Sequence, residues 1–279
     1  MRKLLTSISA LALSISLAAC GTGNDNAGGG ADEGDKKLVV GASNVPHAEI
    51  LEEAQPLLEK KGIDLEIKTF QDYVLPNKAL ADKELDANYF QHIPYLESQK
   101  KENGYDFVNA GGIHIEPIGV YSKKYKSLEE LPKGAKVIMS NSVADHGRIL
   151  SMLEEKGLIK LKEGVDKTKA TVSDIAENPK NLQFEADVEA GLLPQVYNNN
   201  EGDAVLINAN YALDAGLDPA KDPIAVESSE NNPYVNVIAV RKGDENKEEI
   251  KALVEVLHSK EIKDFINKEY KGAVVPAAE

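Results

Sequence analysis

Hydrophobic and polar positions change period repeatedly along this chain, and the changes mark out its elements. Lys37–Ser43 is a compact apolar run of the kind that forms a buried strand. Ile50, Ala54, Leu57 and Leu58 then share one helical face that stops at Gly62; Pro56 inside that face predicts a kink or a restart. Leu65–Phe70 alternates with period two, and Leu75–Lys83 returns to helical spacing. Val137–Met139, Ala204–Ile207 and Val235–Val240 read as further strands. Near the end, Asn246 and Glu249 form a capping pair ahead of the stripe Ile250, Leu253, Val254 and Leu257, and Ile262, Phe265 and Ile266 continue in a last helix. Strand and helix in alternation predict an α/β fold with parallel sheets covered on both faces. About 240 residues suffice for two such lobes with a cleft between them, an arrangement that periodicity alone does not separate from one larger sheet.

The N-terminus follows different rules. Arg2 and Lys3 precede an apolar run, Leu4 to Leu17, diluted by Ser and Thr. The run is shorter than the about 20 apolar residues a membrane-spanning helix needs, so residues 1–19 read as a signal peptide. It ends in Leu17-Ala18-Ala19-Cys20, small residues before a thiol, which resembles the bacterial lipobox. Cys20 is therefore the expected site of diacylglycerol attachment and, being the only cysteine, leaves no disulfide framework and no cysteine-based metal site. Residues 20–37, rich in Gly, Asn and Asp, bury too little apolar surface to fold and are expected to form a flexible tether. No later segment is long and apolar enough to cross a membrane, so the lipid is the one expected membrane contact.

Charge narrows the partners. The whole chain carries a formal −14, and loss of Arg2 and Lys3 with the signal peptide takes two positive charges away, giving −16. Such an acidic surface argues against nucleic acid and against adhesion to anionic headgroups.

Recognisable catalytic motifs are missing: there is no G-x-S-x-G, H-E-x-x-H, P-loop or G-x-G-x-x-G opening a helix after a strand. A surface hydrolase or transferase on the same anchor is thus disfavoured, and the sequence is silent on adhesion to other cells. The five histidines are scattered, although His114 with Glu116 and Asp145 with His146 keep a zinc- or manganese-binding trap open. The aromatic balance is more telling: ten tyrosines, five phenylalanines and no tryptophan. Tyr89, Phe90, His92 and Tyr95 crowd into seven residues, with Phe90 and His92 on one side of a strand and Pro94 starting a helix. Rings at the carboxyl end of a strand suit a ligand pocket; they equally suit a core beneath a loop.

Several blocks of the sequence, in order, resemble the NlpA-type methionine-binding lipoproteins. They are Asp72–Leu80, Glu84–His92 with Pro94–Leu96, Ile113–Ser122, Ala204–Asn208 with Tyr211-Ala212, and Pro233–Ile238. The resemblance implies a two-lobed, periplasmic-binding-protein-like fold of type II, with a ligand cleft between the lobes. It divides the chain into lobe I, 38–118 plus 232–279, and lobe II, 119–231. It implies a binding protein without catalytic residues or cofactor, serving the permease and ATPase of an ABC importer, with methionine, a related amino acid or a methionine-containing dipeptide as ligand. By position, Tyr73, Phe90, His92 and Tyr95 would surround the thioether, Arg148 would pair with the carboxylate, and Asn208 and Asn236 would bond the amino-acid backbone. On residue chemistry alone, Arg148 could sit on a helix surface and either asparagine could cap a turn.

The chain departs from the family at one place. Where the family shows Asn-Asp-Pro-x-Asn-x-x-Arg, this sequence has Asn141-Ser142-Val143-Ala144-Asp145-His146-Gly147-Arg148. Asp145 could neutralise Arg148, repel a carboxylate or accept an ammonium group. Ser142 and Asp145 also fit a capping box, which would turn Asp145 toward the backbone.

Overall fold

The computed structural model describes residues 36–278. The signal peptide, Cys20 and nearly all of the tether lie outside the described residues. Two mixed sheets organise the rest. The first is built from β1 (Lys36–Ser43), β2 (Ile63–Phe70), β3 (Ala87–His92) and β4 (Phe107–Ile115). The chain then enters the second sheet through β5 (Gly119–Tyr121), β6 (Lys136–Ser140), β9 (Gln183–Val188), β10 (Ala204–Ile207) and β11 (Ala225–Val226). A small hairpin of β7 (Lys160–Leu161) and β8 (Ile175–Glu177) stands apart. β12 (Val235–Arg241) and β13 (Val275–Pro276) bring the chain back to the first sheet. The strand orders are β13-β4-β12-β3-β1-β2 and β11-β5-β10-β6-β9.

The expectation of purely parallel sheets fails at these crossings. β1 pairs in parallel with β2 and β3, but β12 runs antiparallel to both β3 and β4, and β5 runs antiparallel to β10 and β11. β5 and β12 follow the two crossings between sheets, so neither is delivered by a helical crossover of the kind that keeps neighbours parallel.

Alternation along the strands feeds a core on each face. In the first lobe Leu38, Val40 and Ala42 pack under α1 (Glu49–Glu59), α7 (Glu248–Leu257) and α8 (Lys260–Tyr270). Leu80, Leu96, Phe107 and Val237 pack on the opposite side with α2 (Leu75–Ala81) and α3 (Ile93–Asn103). In the second lobe Val137, Met139, Ala204 and Leu206 face α4 (Val143–Glu155), while Ile138, Val205 and Ile207 face α5 (Leu193–Asn198) and α6 (Ala209–Asp214).

Two local expectations are corrected. α1 runs unbroken through Pro56. The carbonyl that proline leaves without an N–H partner belongs to Glu52, and both residues are exposed, so it is open to solvent rather than buried unpaired. The N-cap of α7 is Lys247, one residue beyond Asn246; its extended backbone starts the helix with no side-chain cap. Among the described residues no helix is long and apolar enough to cross a membrane.

Candidate functional site

The carboxyl end of β3 and the N-termini of four helices, α2, α3, α4 and α6, converge between the two sheets. Asp72 Oδ1 accepts from the backbone N–H groups of Val74 and Leu75 at 2.7 and 2.8 Å, fixing the entry to α2 and with it Tyr73. On β3, Phe90 and His92 are two residues apart and enter the same space. His92 is also the N-cap of α3: its Nδ1 accepts from Tyr95 N at 3.1 Å, which Pro94 permits by presetting the first turn. Asn236 on β12 sits in register with His92 on one side and His114 on the other.

The second lobe supplies the opposing wall. Asp145 and Arg148, three residues apart on α4, share its cleft-facing side. Gly147 between them lets α4 press against the backbone of Lys167 and Thr168, where an added Cβ would stand 2.3 Å from a carbonyl oxygen. Asn208 ends β10 and leads into α6. Tyr73, Phe90, His92, Tyr95, Asp145, Arg148, Asn208 and Asn236 all line one cavity between the two sheets.

One end of this cavity is aromatic. Tyr73, Phe90 and Tyr95 form a triangle with centroid distances of 5.9 to 6.2 Å, and His92 stands edge-on to Tyr95 at 6.3 Å. Tyr95 Oη donates to Tyr73 O at 2.9 Å, and Tyr73 Oη donates across the cleft to Asn210 Oδ1 at 2.6 Å.

The other end is charged. Arg148 Nε donates to Glu227 Oε1 and Oε2 at 3.2 and 3.0 Å; Nη2 donates to Glu227 Oε2 and, at 2.7 Å, to Glu116 O. The guanidinium lies 4.6 Å from the Tyr234 ring centroid, and its remaining Nη1 is 3.6 Å from Asp145 Oδ1. Burial works against the charge of Arg148, but Glu227 and Asp145 outweigh it and raise its pKa. The surface-helix alternative for Arg148 is thus excluded: it is 4% exposed.

Asp145 faces the cleft. Its Oδ1 accepts from His92 Nε2 at 3.0 Å and its Oδ2 from Asn208 Nδ2 at 3.2 Å. The capping box with Ser142 does not form; the Ser142 hydroxyl is buried without a partner. Burial alone would push the Asp145 carboxyl up, but His92, Arg148 and Asn208 hold it well below the usual range.

Behind the cavity, residues that the sequence reading used only in part form a buried network. Glu116 Oε1 lies 3.2 Å from His47 Nε2 and 2.7 Å from His114 Nε2, and Glu116 Oε2 accepts from Asn210 N at 3.1 Å. Tyr89 Oη bonds His114 Nδ1, and His47 Nε2 is 3.1 Å from Asn236 Oδ1. Burial lowers His47 to about 4, so its ring is neutral at pH 7. Burial opposes charge on Glu116, but the two imidazoles and Arg148 hold its carboxyl below the usual range. The ligating atoms of His47, His114 and Glu116 lie within 4.8 Å of one another, the only such metal-capable group among the described residues. The second pair considered for a metal separates: Asp145 turns to His92, while His146 bonds Ser140 O at 2.9 Å. His47, Asn210 and Glu227 escaped the sequence reading. Nothing local marks them, because their significance arises from contacts 94 to 189 residues away along the chain, or 79 for Glu227 with Arg148.

Two α/β lobes with a cavity lined from both of them define a solute-binding protein of the periplasmic-binding-protein type. The profile of the NlpA lipoprotein family matches residues 38–278, and the chain belongs to that family. It is 56% identical to methionine-binding lipoprotein MetQ of Bacillus subtilis over 280 residues, covering 100% of both chains. It is 41% identical to D-methionine-binding lipoprotein MetQ of Escherichia coli K12, covering 98% of this chain and 97% of that one. Among solved structures it is similar to a nutrient-binding protein from Burkholderia cenocepacia bound to methionine, at 46% identity and a TM-score of 0.81, covering 86% of this chain and 100% of the other.

Proposed function

We propose that this chain is the lipid-anchored, extracytoplasmic substrate-binding subunit of an ABC importer, capturing methionine or a close relative for a permease and ATPase. The observation that carries the reading is the single cavity that gathers an aromatic triangle, His92, Arg148, Asn208 and Asn236 from both lobes. A polarizable thioether gains roughly 0.3–1.5 kcal/mol from each good aromatic contact, and burial of its methylenes adds about 0.8 kcal/mol per CH₂. In this reading Tyr73, Phe90, His92 and Tyr95 hold the side chain, Arg148 Nη1 meets the carboxylate, and Asn208 and Asn236 serve the amino-acid backbone. Asn208 Oδ1 is buried without a partner, as an acceptor reserved for a ligand would be. Lobe I is taken as 38–118 with 232–279 and lobe II as 119–231, in keeping with the division of strands between the sheets. Cys20 and residues 20–37 would supply the anchor and its leash.

Isothermal titration of unfolded, ligand-stripped and refolded protein with L-methionine, D-methionine and Gly-Met tests the reading; binding of none of them sinks it. Metal capture is the second reading, motivated by His47, His114 and Glu116. Stoichiometric zinc or manganese in protein purified without chelator would favour it over methionine.

A further inference from the structure

α6 belongs to the second lobe but rests on the first. Helical spacing puts Asn210, Leu213 and Asp214 on one face, at i, i+3 and i+4. The helix packs against the turn Asn44–Ala48, which follows β1. Leu213 is half-buried against the apolar core of the first lobe. Asn44 Nδ2 donates to Asp214 Oδ1 at 3.4 Å. On the flank of the helix, Tyr211 Oη donates to Gln71 O at 3.3 Å. Tyr211, Leu213 and Asp214 on α6, and Asn44 and Gln71 opposite them, do not line the cavity. These contacts join lobe to lobe outside the ligand space.

We propose that the outer end of α6 is a latch, which stabilises the closed arrangement of the lobes directly and sets part of the ligand affinity through residues that never touch the ligand. The affinity half of the inference rests on the methionine reading; the latch itself does not. When only the closed form binds, the apparent dissociation constant is the intrinsic one divided by the closed fraction. A contact made only when the lobes meet raises that fraction, whatever the ligand. Leu213 is the apolar part of the latch, because parting the lobes returns its side chain to water. The exposed bond between Asn44 and Asp214 adds little strength. Its chemistry matters through the sign: an amide facing a carboxylate accepts closure, and a second carboxylate there would resist it.

The test uses three variants. Leu213→Ser removes the apolar contact, Asn44→Asp sets two carboxylates face to face, and Asn44→Asp with Asp214→Asn restores the amide–carboxylate pair with the roles exchanged. Asn44 and Asp214 both reach solvent, so the last two variants keep the fold intact. Nitroxide labels on Lys101→Cys in α3 and Gln195→Cys in α5, exposed positions on opposite lobes, report the lobe separation in ligand-stripped protein by pulsed electron resonance. Calorimetry gives the affinity for L-methionine. Leu213→Ser and Asn44→Asp are each expected to lengthen the label distance in ligand-stripped protein or to weaken L-methionine about five- to tenfold. For Leu213 that is the worth of one or two methylenes kept in water. A mostly closed wild type shows the change in distance, a mostly open one in affinity. The double variant should return both readouts to wild type, and the effect of Asn44→Asp alone should shrink in about 1 M salt, where the screening length is about 3 Å. If neither readout moves in Leu213→Ser and Asn44→Asp, the latch is overturned. A loss in Asn44→Asp that the double variant does not recover overturns the pairing of Asn44 with Asp214. A wild type that does not bind L-methionine refutes the ligand reading instead; the latch is then judged by distance alone, and unmoved distances overturn it.

Discussion

Removing the guanidinium of Arg148 gives the sharpest test of how the second lobe is held together. Arg148→Met keeps the apolar stem on α4 and deletes every donor. The wild-type side chain and that of Glu227 are 3% and 10% exposed, so solvent screens the pair little. The substitution strands the Glu227 carboxylate, which keeps only Ile118 N as a donor at 3.2 Å, and leaves Glu116 O without its partner. Breaking a buried pair from one side costs about 3–5 kcal/mol, a large share of the roughly 5–15 kcal/mol that stabilises a folded domain. For a chain of this size that is a fall in Tm of roughly 6–20 °C, at about 2–4 °C per kcal/mol. Glu227→Gln alone should also destabilise, and the double variant should lose less than the sum of the singles by about 1.5 kcal/mol or more. Urea unfolding of the four proteins at pH 7, with m-values compared, measures the cycle. Losses that add to within about 0.5 kcal/mol would show that the two charges do not act as a pair.

Three further outcomes are expected. His47 has a folded pKa of about 4 against an ordinary value near 6.5. The unfolded chain therefore binds the extra proton between those values, and stability should be full above about pH 6.5 and fall as pH drops toward 4. His47→Gln should flatten that stretch of a urea-unfolding profile, and an unchanged slope would assign it elsewhere; Asp145 and Glu116, lowered in the folded state, add their loss only below about pH 4. Gly147→Ala drives a methyl into the backbone of Lys167 and Thr168 and should cost about 1–3 kcal/mol in thermal unfolding; a neutral result would mean that this contact gives way freely. In methionine titrations, Tyr95→Phe should cost less than about tenfold, because it deletes one bond to a half-buried carbonyl and keeps the ring. Arg148→Ala should cost far more, and similar losses from both would misplace the carboxylate.

The strands and helices were largely legible because burial writes its period into sequence. Ala204–Ile207 was foreseen to the residue, and β1, β2, β6 and β12 within two residues at each end. Strand direction was not legible: whether β12 returns parallel or antiparallel depends on where the chain crosses between sheets, which leaves no local pattern. Pro56 misled because its cost depends on which face of α1 it occupies, and it occupies the wet one. At the site, family resemblance singles out seven residues that line one cavity and the departure from its pattern an eighth, Asp145, while residue chemistry alone leaves Arg148 and both asparagines open. The orientation of Asp145 could not be read, since a capping box and a cleft carboxylate share one spacing. Only the position of His92 across the gap decides between them.

The aromatic composition has an optical consequence. With ten tyrosines and no tryptophan, excitation absorbed by one phenol has no indole to drain into. Tyr73 lies 5.9 Å from Tyr95 and 4.9 Å from Tyr211, and the Tyr73 hydroxyl is tied to Asn210 on the opposite lobe. Opening the cleft would break that tie and separate two of the three rings. A change in the opening of this cleft would therefore register in the polarisation of the protein's own tyrosine emission, with no dye attached.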